Sequence, residues 1–88
     1  MKLIFCPKCQ DVVKLQTIER RCNCGLSWGW YSEDGLLAYI GGEATPLGIA
    51  NSSFLYALRT RPSRGEGKVF TAFVIPRECS TVIKVNTE

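Results

Sequence analysis

The chain has 88 residues, 45% of them apolar, with eleven Lys and Arg against eight Asp and Glu for a formal charge of +3, and it contains no histidine. That length allows one domain whose apolar core alone is marginal. Without imidazole there is no Ser-His or Cys-His nucleophile pair and no ordinary neutral-pH base, so the composition points away from an enzyme.

In chain order, Lys2-Leu3-Ile4-Phe5 reads as a short strand that delivers Cys6. Val12–Leu15 and Gln16–Glu19 read as the arms of a hairpin. Leu26 to Tyr31 alternates with period two, which puts Leu26, Trp28 and Trp30 on one face. Asp34-Gly35 is a strong hairpin turn because glycine accepts a positive φ, and Leu36 to Ile40 is the expected return strand. Gly41-Gly42 is expected to end it, with Glu43–Gly48 an irregular connection. Asn51-Ser52-Ser53 suits a helix entry, and a short helix over 51–60 would carry Phe54, Leu55 and Leu58 on one apolar stripe. Pro62 disfavours helix at Arg61. Residues 61–68 compose a flexible loop, and Val69–Ile75, apolar at almost every position, predicts a central strand covered on both sides. Thr81–Val85 is the last strand, with Lys84 marking a sheet edge.

The densest chemical signal is Cys6-Pro7-Lys8-Cys9, twelve residues, then Cys22-Asn23-Cys24-Gly25. Two close pairs of thiols supply the four sulfurs of a closed tetrahedral metal site, which leaves no position for a reactive water. Such a site is structural, and a small domain needs that kind of staple. Reduced thiols fit a cytoplasmic setting; an odd fifth cysteine and a start, Met1-Lys2, without a signal peptide argue against disulfides. No apolar run is long enough for a membrane span.

These pairs resemble the knuckles of the zinc-ribbon family, in which paired cysteines sit at hairpin tips. Cys6-Pro7-Lys8-Cys9 matches the family's Cys-Pro-x-Cys turn. The second pair departs from it, being Cys-x-Cys, with alternate residues of an extended segment expected to bring both sulfurs to one side. Gln10 stands where the family often has glycine. The resemblance covers residues 3–40 and implies one structural Zn²⁺ on Cys6, Cys9, Cys22 and Cys24, with iron the lesser alternative. The expected fold is small and mostly β: a zinc-ribbon module over 1–40, continued into an antiparallel sheet, and a β-rich remainder over 41–88 with one short helix, packed as one unit.

Four thiolates and one Zn²⁺ would remove two positive charges, so the distribution of charge matters more than its total. Arg59, Arg61, Arg64 and Lys68 lie within ten residues beside Glu66 alone, with Gly65 and Gly67 interleaved. Arginine forks match phosphate oxygens, so this run predicts an anionic partner, with nucleic acid favoured and Arg20 and Arg21 as additional contacts. An alternative is a homo-oligomeric binder of a nucleotide or other small anion, using the uncharged-to-acidic segment Gly41–Ser53 with Asn51, Ser52, Trp28 and Trp30. A third is a protein–protein adaptor using the aromatic faces. Cys79 reads as a small buried side chain more readily than as a thiol activated by Arg77.

Overall fold

A computed structural model describes residues 1–85. Its elements are β1 (Lys2–Phe5), β2 (Val12–Lys14), β3 (Arg20–Arg21), β4 (Ser27–Tyr31), β5 (Ala38–Gly42), β6 (Thr45–Ile49), α1 (Asn51–Thr60), β7 (Ala72–Val74) and β8 (Val82–Lys84). The mostly-β class with one short helix is therefore observed, as two stacked sheets. One has the order β2-β1-β6-β7, the other β3-β4-β5-β8. All pairings are antiparallel except β5 with β8.

The core lies between the layers. Ile4 of β1, flanked in register by Val13 and Pro46, faces Ala38 and Ile40 of the second sheet, and Leu15 closes the gap between them. Cys6 and Cys22 belong to the same buried cluster, so the metal knuckles are part of the core. That cluster also takes in Ala44, which lies beyond residue 40.

Several expectations need correction. Residues 16–19 form no strand; the chain instead crosses to the other sheet, where Arg20 and Arg21 pair with Gly29 and Trp28. Gly41 and Gly42 do not end β5 but complete it, because the Trp28 indole lies across them. A Cβ at Gly41 would collide with the indole Nε1, so a larger residue would lift the ring. The expected irregular segment 43–48 instead holds most of β6, Thr45–Ile49. Pro46 is tolerated there because its carbonyl accepts from Ile75 N (3.0 Å), so its missing N–H would point the same way, past the end of β7.

The Asp34-Gly35 turn forms as the sequence implies, with Gly35 at φ +74° and its N–H on the Ser32 carbonyl (2.9 Å). The helix also spans 51–60, but neither its cap nor its apolar stripe is the expected one. Ala50 is the N-cap and no side chain caps it; Asn51 Oδ1 accepts from the Met1 amine (2.9 Å), and Ser53 Oγ accepts from Thr71 N (2.7 Å). Ala57 alone is buried, while Leu55 and Leu58 are exposed. Residues 50–71 thus form an arm inserted between the paired strands β6 and β7, held at its base by Ala50 N on Thr71 O and by the edge-on contact of Phe54 with Phe70. The segment 69–75 is not a covered central strand. Its strand, β7, is a sheet edge, and Val69 and Val74 are 90% and 65% exposed.

Candidate metal centre

Each knuckle is closed by backbone before any metal is considered. β1 ends at Phe5 and hands over Cys6, whose N–H donates to Asp11 O (3.0 Å) while its carbonyl accepts from Gln10 N (2.7 Å). This reversal forces Gln10 to φ +63°, the left-handed region where a glycine would be free of strain. Opposite, Cys22 N donates to Ser27 O (2.9 Å) and Gly25 N to Cys22 O (3.1 Å), with Gly25 at φ +82°. Cys24 lies within that turn, so its sulfur converges through a bend and not through the extended segment expected for a Cys-x-Cys pair. Asp11 Oδ2 then accepts from Asn23 N (2.8 Å) and ties the second knuckle to the first.

The four sulfurs of Cys6, Cys9, Cys22 and Cys24 lie within 4.8 Å of one another. Cys24 Sγ stands 3.7 Å from Cys6 Sγ and 3.6 Å from Cys22 Sγ. Metal–sulfur bonds of about 2.3 Å in a tetrahedron require sulfur pairs about 3.8 Å apart, so these separations fit a four-thiolate metal site. They are far too long for a disulfide.

Electrostatics give the same answer. Burial raises the Cys22 thiol, yet the Ser27 N–H (3.3 Å from its sulfur) and the thiols of Cys24, Cys6 and Cys9 bring it down to about 6. The Leu26 N–H lowers Cys24, but desolvation and the sulfurs of Cys22, Cys9 and Cys6 overcome it and push Cys24 up to about 12. One thiolate forms readily, and its negative charge opposes the last. A bound cation is what allows all four sulfurs to ionise together.

Ser27 adds a detail invisible in the motif. Its hydroxyl is fully buried and has no hydrogen-bond partner among the described residues, yet it is the chief cause lowering the Cys6 thiol, ahead of the opposing desolvation and the N–H groups of Cys9 and Lys8. These facts agree if the hydroxyl waits for charge: a neutral thiol is a weak acceptor, and a metal-bound thiolate is a strong one.

The other singled-out residues are dispersed. Arg21 serves the second knuckle: its Nη1 donates to Gly25 O (2.9 Å), its Nε pairs with Glu19 (3.0 Å), and its guanidinium lies 4.6 Å from the centre of the Trp28 ring. Arg20 Nη1 donates to Lys14 O (3.2 Å). Trp28 and Trp30 are half-buried on the outer face of the second sheet, away from Asn51 and Ser52, and Trp30 stacks on Tyr39 at 5.3 Å. Arg59, Arg61, Arg64 and Lys68 are exposed on the arm, and among the described residues none lies within ion-pair distance of a carboxylate. Lys68 Nζ stands 5.9 Å from the Tyr56 ring centre. Cys79 is half-buried, and its thiol is lowered chiefly by the Thr81 hydroxyl (3.3 Å); Arg77 is not among the leading causes.

The chain matches no protein-family model, no curated protein and no solved structure. Site and fold together define a small, mostly-β protein with a four-cysteine cluster whose geometry could hold a metal ion. Among the described residues no helix is long and apolar enough to cross a membrane.

Proposed function

We propose that the chain is a zinc-stabilised, non-enzymatic binding protein whose arm contacts the phosphates of a nucleic acid. Zinc is favoured over iron because a closed four-sulfur tetrahedron built into the core suits a structural ion with no redox role. The observation that carries the reading is the state of the arm's cations. Arg59, Arg61, Arg64 and Lys68 make no ion pair among the described residues, whereas Arg20 and Arg21 are engaged by their own fold. Unspent arginine forks on a projecting, glycine-jointed loop suit phosphates that the loop can follow.

Binding through four such groups should weaken with salt at a log–log slope of about −3.6 for duplex DNA and about −2.8 for a single strand. Arg61→Ala combined with Arg64→Ala should reduce that slope by about 2 and leave the metal content unchanged. Unaltered affinity and slope in the double variant would remove the arm from the reading.

A second reading, capture of a nucleotide, is favoured by a cavity of about 550 Å³ between the sheets. Arg77, Lys84 and Thr45 line it together with Glu43. Saturable binding of a mononucleotide, lost in Arg77→Ala and kept in the arm variant, would select it.

A further inference from the structure

Strand β8 lies parallel to β5, with Val82 beside Ala38 and Lys84 beside Ile40. Ala38 and Ile40 are buried between the sheets, and residues paired across strands share a face. Lys84 is therefore an inward-facing lysine, although β8 is a sheet edge. Across the gap the first sheet offers Pro46, in register with Ile4, and Ile75, whose N–H donates to the Pro46 carbonyl (3.0 Å). The cavity of about 550 Å³ lies between these rows, with apolar walls of Ile40, Ala44, Pro46, Ile75 and Val82. Three charged side chains that line it, Arg77, Lys84 and Glu43, are exposed. Among the described residues none of the three lies within ion-pair distance of an opposite charge.

We infer that this cavity is a binding site for a small organic carboxylate, whose apolar body lies between the sheets and whose head meets Arg77 and Lys84. Its volume falls within the range of about 300–1,000 Å³ usual for small-molecule sites, and like them it joins apolar walls to a few charged groups. Two cations against one carboxylate leave a single positive charge, which matches one carboxylate head. The Arg77 fork can receive that head through two parallel N–H···O bonds, and Lys84 adds a point charge. Packing alone would be served by an apolar side chain at position 84, beside Ile40 and two residues after Val82. A lysine there without an anion of its own suits a ligand that brings one.

The same cavity favours nucleotide capture in the second reading above; the inference rests on that site and changes its ligand. A mononucleotide brings a phosphate of nearly two negative charges, together with ribose hydroxyls and base edges that need hydrogen-bond partners once buried. The five wall side chains offer none, Thr45 is the one neutral hydroxyl on the lining, and Glu43 opposes the second charge. An apolar body buries against the same walls without that cost. The basic arm takes no part, so the site stands independently of nucleic-acid binding.

The test is isothermal titration calorimetry of the zinc-loaded chain with phenylpropionate, beside phenylpropanol (the body without the charge), acetate (the head without the body) and adenosine monophosphate. Phenylpropionate is expected to saturate one site per chain, with phenylpropanol and acetate each weaker by about 10-fold or more. Lys84→Met and Arg77→Gln, both at exposed positions, should each weaken phenylpropionate by about 10-fold with zinc content and circular dichroism unchanged. Lys14→Met removes the same charge from β2, at the far margin of the first sheet, and should leave binding unaltered. Absence of saturation by phenylpropionate at millimolar concentration overturns the inference. So does binding that the alcohol matches, that both cavity variants retain, or that Lys14→Met weakens as much as they do. Adenosine monophosphate bound more tightly than the acid also overturns it, and returns the cavity to the nucleotide reading.

Discussion

Removing the metal should unfold the whole described body and not merely loosen its amino-terminal end. The buried cluster contains only four side chains larger than cysteine: Ile4, Val13, Leu15 and Ile40. At about 1.5–3 kcal/mol each for complete burial, they contribute on the order of 10 kcal/mol before the entropy of ordering the chain is subtracted. A domain of 88 residues ordinarily retains about 4–13 kcal/mol net. Structural zinc supplies about 10–16 kcal/mol in small fingers, as much as or more than that net stability. Cys6 and Cys22 are themselves core residues, so a chelator acts on the packing as well as on the knuckles. Far-ultraviolet circular dichroism and tryptophan fluorescence should collapse together as a chelator is titrated in. Proton release gives an independent check. If the metal-free chain unfolds, its thiols return to ordinary values near 9, and zinc binding at about pH 7.5 displaces nearly four protons. If it stays folded, Cys22, held at about 6, has already ionised and the release is about three or fewer. The lowered Cys22 would then stabilise that fold fully above pH 9, with the contribution lost as pH falls through about 6. Three protons with an unchanged spectrum would refute the claim that the ion supplies the order.

Two further substitutions probe the knuckles. Gln10→Gly relieves a left-handed backbone that costs about 1–2 kcal/mol in a residue with a Cβ, against about 0.5–1 kcal/mol of added freedom in the unfolded chain. The variant should therefore unfold at slightly higher denaturant, by up to about 1.5 kcal/mol, and a loss of stability would show that the Gln10 side chain has a role of its own. Ser27→Ala removes the buried hydroxyl beside Cys6 and should weaken zinc binding about 10-fold or more in a chelator competition. Unchanged affinity with higher stability would show that hydroxyl to be a buried group without function.

The metal cluster was legible because its information is local: two tight turns need only their own residues to aim paired sulfurs, and Cys-Pro-x-Cys carries that geometry in its chemistry. The Asp34-Gly35 turn and the helix over 51–60 were legible for the same reason, since backbone preference and flanking Pro62 act within a few residues. What the sequence could not convey was which apolar segments find cover. Val69–Ile75 has the composition of a central strand but lies at a sheet edge, because position in a sheet depends on which strands arrive on either side. Gly41 and Gly42 read as a break until the Trp28 ring is seen lying on them, and Pro46 reads as a loop until its neighbour strand is seen to stop short. Ser27 and Asp11 carry no motif at all; only the folded chain brings their oxygens to the knuckles. Short-range conformational chemistry is written residue by residue, whereas burial is a property of the neighbours, and those are set by the tertiary arrangement alone.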